Sequence, residues 1–229
     1  MISKTRGIVI KYIKYRDTSI IVQIFTEDYG LVPFLINGIR SPRSKRSISY
    51  FQPFSLLELV AYIKSGREVQ RLSEFKFFAP THQLHQDIRK SAVTLFLAEI
   101  LSKLLMHEPG EKHQPLFEFL SMSIQGLDQL DQQIENFHLH FLLKLMPHMG
   151  IGVEDGSLLI QAMESELGVR DPLLIQLISS ILANPINAPI KSTGKVRSGA
   201  LELVLEYIQH HTFHFGEINS LKVLQQVFN

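Results

Sequence analysis

The chain has 229 residues, of which 45% are hydrophobic and 20% are charged, a balance typical of globular proteins that bury a core. It contains no cysteine, which excludes disulfide bonds, thiolate zinc sites and cysteine nucleophiles. The formal net charge at pH 7 is only +1, so the distribution of charge is more informative than its total.

Positive and negative charges lie in different parts of the chain. Residues 1–80 hold 13 Lys and Arg against 6 Asp and Glu, a net of +7. Residues 81–229 hold 10 against 16, a net of −6. This asymmetry predicts two modules with different partners, the first of them suited to a polyanion.

The first 80 residues read as β-structure. Segments rich in β-branched and aromatic residues predict strands at Gly7–Lys14, Thr18–Thr26, Leu31–Ile39, Phe54–Lys64 and Val69–Phe78. Gly30 suits a turn residue with positive φ, and Pro33 indicates an edge position or a bulge in the third strand. Five short strands within about 75 residues fit a small barrel, of which the OB-fold is the commonest that binds nucleic acid.

A basic loop, residues 38–47, follows the third predicted strand. It contains four cations, three serines, a glycine and a proline, so it has neither apolar residues enough to bury itself nor local carboxylates to pair with. A loop of this composition favours phosphate as its ligand over a small neutral substrate.

Helical periodicity begins after Pro80. The predicted helices are a long apolar one around 88–104, followed by Pro115–Leu127, Ile134–Met146, Ser157–Leu167, Pro172–Leu182, Gly199–His210 and Ser220–Phe228. Residues 184–197 are predicted to be a loop. The predicted fold is therefore α+β, with a five-stranded OB-fold barrel in residues 1–80 and an all-α helical domain in residues 81–229.

No segment predicts membrane insertion or export. The longest apolar stretch, residues 95–106, is interrupted by Glu99 and Lys103, and the N-terminus enters a strand pattern without a signal-peptide core. We expect a cytoplasmic protein.

Cations in and between the predicted strands are the candidate DNA-binding residues. They are Lys11, Lys14, Arg16, Arg40, Arg43, Lys45, Arg46, Lys64, Arg67 and Arg71. The nearby aromatic residues Tyr12, Tyr15, Tyr29, Tyr50 and Phe51 could stack on bases, although aromatic residues in strands more often pack inward.

No motif predicts catalysis, and we expect no enzyme activity and no cofactor. Ser192–Lys195 resembles the end of a phosphate-binding loop, but Pro189 stands where the motif needs glycine and Val196 where it needs Ser or Thr. The alternative from the enzyme class is a metal hydrolase that uses histidines. Its candidate ligands are His138, His140, His210 and His214.

Five short motifs in the first 60 residues resemble the RecO (recombination mediator O) family of DNA repair proteins. They are Gly7–Ile10, Tyr15–Ser19, Phe25-Thr26 with Gly30, Asn37-Gly38 with Arg40 and Ser44, and Gln52–Phe54 with Leu57-Glu58. Phe137–Leu145 with Met149–Ile151, and Ser220 with Val223-Leu224, resemble helical segments of the same family.

The resemblance implies an OB domain, a helical domain and no enzymatic turnover. It implies binding of single- and double-stranded DNA and annealing of complementary strands. It further implies loading of RecA, together with RecR and often RecF, onto DNA coated by single-strand binding protein. The helical domain would bind the acidic C-terminal tail of that protein.

Two departures from the family pattern stand out. Many members carry a four-cysteine zinc finger after the glycine that Gly150 matches, and the absence of cysteine excludes it here. A lysine common before the glycine that matches Gly38 is Asn37 in this chain. An alternative function is a protein-interaction adaptor whose helical domain docks partners. An acidic tail would then need a local basic pocket that uses Lys103, Lys144 or Lys191.

Overall fold

The computed structural model describes residues 2–42, 44, 47–106, 113–167, 171–186, 188–212 and 216–228. Its strands are β1 (Ile2–Tyr15), β2 (Ser19–Thr26), β3 (Gly30–Ile36), β4 (Leu56–Tyr62) and β5 (Gln70–Ala79). They form a closed barrel in the order β1-β2-β3-β5-β4, in which the β3–β5 pair is parallel and the other four pairs are antiparallel. The predicted five-stranded OB-fold barrel is confirmed.

Strand β1 closes the barrel because it pairs on both sides. Its first half, Ile2–Ile8, pairs with β4, and Gly7–Tyr15 pairs with β2. The register shifts between Val9 and Lys11, which is the kind of irregularity that bends a strand. Gly7 lies in the overlap, where an added Cβ would come within 2.5 Å of Ile24 Cγ2, so only glycine fits without a shift of the core.

Strand β3 is shorter than predicted. It ends at Ile36 because Gly38 adopts a φ of 69° and the chain turns there, which returns Ile39 to the core with 5% exposure. Strand β5 pairs with β3 only at Phe34 and Leu35, so Pro33 has β2 as its strand neighbour. That arrangement matches the predicted edge position.

Seven α-helices follow in the described residues. They are α1 (Ile88–Leu104), α2 (Gln114–Gln129), α3 (Phe137–Leu145), α4 (Gly156–Leu167), α5 (Pro172–Ala183), α6 (Gly194–His211) and α7 (Asn219–Phe228). Short 3₁₀ segments flank α3. The predicted all-α second part is confirmed.

The start of α6 corrects the loop predicted for residues 184–197. Thr193 caps this helix by accepting a hydrogen bond from the amide of Val196 at 3.4 Å. Gly194, Ser198 and Gly199 weaken the helical signal of its first two turns. Gly199 is nevertheless useful, because a Cβ there would come 3.3 Å from Leu174 of α5.

By internal contacts the chain divides into two compact units. The first comprises Met1–Leu84 and Thr94–Gln125, and the second comprises His85–Val93 and Gly126–Asn229. In the first unit, Phe117 of α2 stacks on Phe25 of the barrel, with 6.3 Å between ring centroids. The domain boundary at residues 80 and 81 stays a prediction, because contact density does not show which segments fold independently.

Candidate nucleic-acid interface

Two loops meet at one end of the barrel and bring cations together there. The amide of Arg40 donates to the carbonyl of Thr18 at 2.9 Å, and Arg40 Nη1 donates to the carbonyl of Arg16 at 3.3 Å. Lys14 is exposed two residues before Arg16. The turn after β1 and the loop after β3 are therefore tied to each other, and we call Lys14, Arg16 and Arg40 the loop-end cations.

Arg16 is held in an uncommon backbone conformation. Its φ is 51°, a value that few residues other than glycine, asparagine and aspartate adopt. Its guanidinium lies 5.2 Å from the centroid of the Tyr15 ring. This backbone conformation orients the carbonyl group of Arg16 so that it accepts the hydrogen bond from Arg40 Nη1.

The loop between β4 and β5 is fixed by one buried amide side chain. Gln70 is 6% exposed; its Oε1 accepts from the amide of Lys64 at 3.0 Å, and its Nε2 donates to the carbonyls of Lys64 and Arg67 at 3.0 and 2.7 Å. The side chains of Lys64 and Arg67 are exposed. Ordered backbone with free cationic side chains suits binding of phosphates.

Lys11 and Arg71 lie on the outer surface of the barrel. Lys11 of β1 is opposite Gln23 of β2, which is opposite Pro33 of β3. The next row on the same face runs across β1, β2, β3 and β5 and consists of Ile13, Ile21, Leu35 and Arg71. Arg71 is exposed and Lys11 is partly buried. The β2–β3 face and its flanking loops are where OB-folds bind oligonucleotides, so both cations border the expected surface.

The structure thus describes seven of the ten predicted DNA-binding residues and brings them to three places. Lys14, Arg16 and Arg40 share one end, Lys64 and Arg67 share the β4–β5 loop, and Lys11 and Arg71 border the outer face. Arg43, Lys45 and Arg46 lie outside the described residues.

Most of the candidate stacking residues belong to the core instead. Phe51 is fully buried, and Tyr12, Tyr29 and Tyr50 pack against the barrel core. The favoured prediction, that most of these aromatic residues are structural, is confirmed. Tyr15 differs, because it shares the outward side of β1 with Lys11 and Ile13.

The opposite side of the barrel has balanced charge. Arg6 forms an ion pair with Glu27 at 2.7 Å, and Lys76 pairs with Glu58 at 2.8 Å. The hydrogen bonds to Glu27 raise the pKa of Arg6 above its ordinary value. Among the described residues, the ion pairs of Arg6, Lys76 and Arg89 leave the loop-end cations without a carboxylate partner.

Sequence reasoning missed one feature of the outer face. Ile13 is 55% exposed, and Ile21 and Leu35, its neighbours on β2 and β3, are only half-buried. The alternation of Lys11, Ile13 and Tyr15 is the signal that could have found it. The sequence alone does not give the register between strands, however, so it does not show that Ile13 has aliphatic neighbours on β2 and β3.

The described histidines of the second unit belong to no cluster of potential metal ligands. His138 and His140 are both buried in α3, and no group of three potential metal-ligating side chains lies together in the part of the chain that the structure describes. His214 lies outside the described residues. Among the helices described, none is both long enough and apolar enough to cross a membrane.

One cavity of the second unit combines apolar walls with a cation. It has a volume of about 430 Å³, and its lining includes Leu173, Leu177, Ile190, Lys191 and Val196. Lys191 is exposed. Lys144, by contrast, donates to the carbonyl of Leu182 at 2.5 Å and serves the packing of α3 against α5. Lys103 is partly buried on α1.

Comparisons with known proteins agree over nearly the whole chain. The family model described as recombination protein O N terminal matches residues 1–80, and that described as recombination protein O C terminal matches residues 85–154. The proteins named DNA repair protein RecO from Flavobacterium psychrophilum and Christiangramia forsetii are each 32% identical to this chain. The first alignment covers 99% of each protein, and the second covers 100% of each. The protein of that name from Bacteroides fragilis is also 32% identical, over 100% of each chain.

Proposed function

The chain belongs to the RecO family of DNA repair proteins, and from that premise we propose that it is a recombination mediator. In this proposal it binds single- and double-stranded DNA through the barrel, anneals complementary strands and helps to load RecA. Its partners are RecR, RecF and single-strand binding protein, and it acts in the cytoplasm without a cofactor.

The observation that carries the DNA-binding part is the cluster of loop-end cations. Two bonds from Arg40, to Thr18 and to Arg16, bring it beside Arg16 at one barrel end, and no ion pair of the described residues consumes either charge. Arginine can grip a phosphate with two parallel hydrogen bonds. Such contacts need cations at a repeated spacing but no defined base sequence.

Annealing by such a surface requires no catalytic residue. Two complementary strands repel each other through their phosphates, and a basic surface lowers that repulsion while it holds the strands loosely. The proposed role is therefore that of a binding protein, not of an enzyme.

The proposed docking of an acidic protein tail is supported by the cavity at Lys191. Leu173, Leu177 and Ile190 would receive the apolar residues of such a tail, and Lys191 would attract its carboxylates. The cavity supports the adaptor proposal because it offers a cation in a part of the chain, residues 81–229, whose net charge is otherwise unfavourable for an acidic ligand.

One annealing experiment tests the proposal. The rate at which complementary oligonucleotides pair should rise with the wild-type protein and fall toward the spontaneous rate with Arg16→Ala/Arg40→Ala. Lys4→Ala/Lys76→Ala removes the same charge from the opposite side of the barrel and should leave annealing intact. Equal rates with and without wild-type protein would contradict the proposal.

Strands coated with single-strand binding protein separate the two parts of the proposal. We expect Lys191→Glu to anneal naked strands at the wild-type rate but coated strands more slowly. Wild-type protein should likewise anneal coated strands slowly when the single-strand binding protein lacks its C-terminal tail. If Lys191→Glu acts like wild type on coated strands, the cavity at Lys191 is not the docking site.

A further inference from the structure

The register of the barrel places three aliphatic side chains side by side on its outer surface. Ile13 of β1 is opposite Ile21 of β2, which is opposite Leu35 of β3. Ile13 is 55% exposed and the other two are half-buried. We call these three residues the aliphatic strip.

Cations border the strip on several sides. Lys11 precedes Ile13 by two residues on the same side of β1, and Arg71 of β5 lies beside Leu35 in the parallel pairing. Beyond Ile13 on the same side is Tyr15, with the Arg16 guanidinium against its ring. An apolar strip edged by positive charge complements a ligand with apolar faces and a negatively charged backbone.

The dimensions of the strip suit a few nucleotides. Neighbouring strands lie about 4.8 Å apart, so a row across three strands extends for about 10 Å. A DNA strand with stacked bases rises by about 3.4 Å per nucleotide along its axis, so a row of this length corresponds to about three nucleotides.

Only unpaired bases can use an apolar surface of this kind. A duplex keeps the faces of its bases stacked inside and presents phosphates and groove edges to a protein, whereas single strands offer their base faces. The cations attract either form of DNA, but the strip adds favourable contacts with the single-stranded form alone.

We propose that the aliphatic strip binds the bases of single-stranded DNA and sets the preference of the barrel for single strands over duplex. Ile13, the most exposed of the three, is the residue that determines this preference. The inference rests on the proposed function in one respect, that the barrel binds DNA.

The chain provides its own reporter and its own control. It contains no tryptophan, so Ile13→Trp introduces a single indole whose fluorescence reports on stacking with bases. Ile2→Trp is the matched control, because Ile2 lies on the same strand with 59% exposure and is opposite Tyr62, away from the strip.

We expect single-stranded DNA to quench the fluorescence of Ile13→Trp and to leave that of Ile2→Trp nearly unchanged. Duplex DNA should quench neither. Ile13→Trp should also bind single strands more tightly than wild type, since an aromatic ring stacks on bases better than an aliphatic chain does.

Ile13→Ser should have the opposite effect on affinity. It should weaken single-strand binding by about fivefold and leave duplex affinity and the salt dependence of both unchanged, because it removes apolar area but no charge. Ile2→Ser should bind like wild type.

Three results would overturn the inference. If wild type binds DNA but the fluorescence of Ile13→Trp responds equally to both forms of DNA or to neither, the strip does not contact bases, while the proposed function stands. If wild type binds neither form of DNA, both are wrong. A response of the Ile13→Trp fluorescence to a protein partner alone would make the strip a protein-docking surface instead.

Discussion

His138 and His140 lie in α3 with their side chains buried. Burial lowers the pKa of His138 to about 3, assisted by the positive charge of Arg197 and by His140. Burial, with a contribution from Lys144, lowers the pKa of His140 to about 4. Both rings are therefore neutral in the folded protein throughout the physiological pH range, as expected for side chains packed in a core.

These two pKa values predict that the protein loses stability in mild acid. In the unfolded chain each histidine takes up a proton below about pH 6.5, whereas in the folded chain it does so only near pH 3 to 4. The stabilisation is complete above pH 6.5 and should fall by up to about 1.4 kcal/mol per pH unit for each histidine as the pH falls. Urea unfolding at pH 7.5 and about pH 5 measures this loss.

A substitution separates these histidines from other acid-sensitive groups. His140→Leu should reduce the loss of stability between about pH 7.5 and about pH 5, because it removes one of the two buried rings that take up a proton on unfolding. A free energy of unfolding that is constant over this range in the wild type would show that burial of the two rings is incomplete.

The sequence predicts the strands and helices better than it predicts the positions of individual side chains. Hydrophobic alternation identified the five strands, but the positive φ of Arg16 and the bonds from Arg40 depend on where two separate loops meet. The exposure of Ile13 likewise follows from strand register, which a single sequence does not specify. For this reason the sequence predicts the loop-end cations as DNA-binding residues, but not the hydrogen bonds that bring Arg40 beside Arg16.

At the scale of elements, the β4–β5 loop depends on Gln70. This side chain replaces the missing strand partners of the loop by three hydrogen bonds to backbone groups of Lys64 and Arg67. The sequence does not predict this role of Gln70, because its hydrogen bonds join residues on the two sides of a turn.

Gln70→Ala should release the loop without unfolding the barrel. We expect the free energy of unfolding to fall by about 1–3 kcal/mol, since partly buried backbone groups lose their partners. Amide hydrogen exchange at Lys64 should become faster. Gln52→Ala is the control, because Gln52 is exposed. Unchanged exchange at Lys64 would mean that the turn at Gly66 holds the loop alone.

At the scale of the whole molecule, the sequence predicts the division into a basic barrel and an acidic helical part better than it predicts helix boundaries and cavities. The change from net +7 to net −6 coincides with the change from barrel to helices, and both follow from composition and periodicity. The start of α6 was missed because glycine and serine obscure its periodicity. The cavity at Lys191 was not predictable as a cavity, because α5 and the segment before α6 meet only in the folded chain.

The central claim is that the loop-end cations bind the phosphates of single-stranded DNA. The most direct test is the affinity for a single-stranded oligonucleotide measured between about 50 and 200 mM salt. Log affinity should fall linearly with log salt, and Arg16→Ala/Arg40→Ala should make the slope shallower by about 1.4, or about 0.7 for each lost phosphate contact. Lys4→Ala/Lys76→Ala should keep the wild-type slope. An unchanged slope in the Arg16/Arg40 variant would contradict the claim.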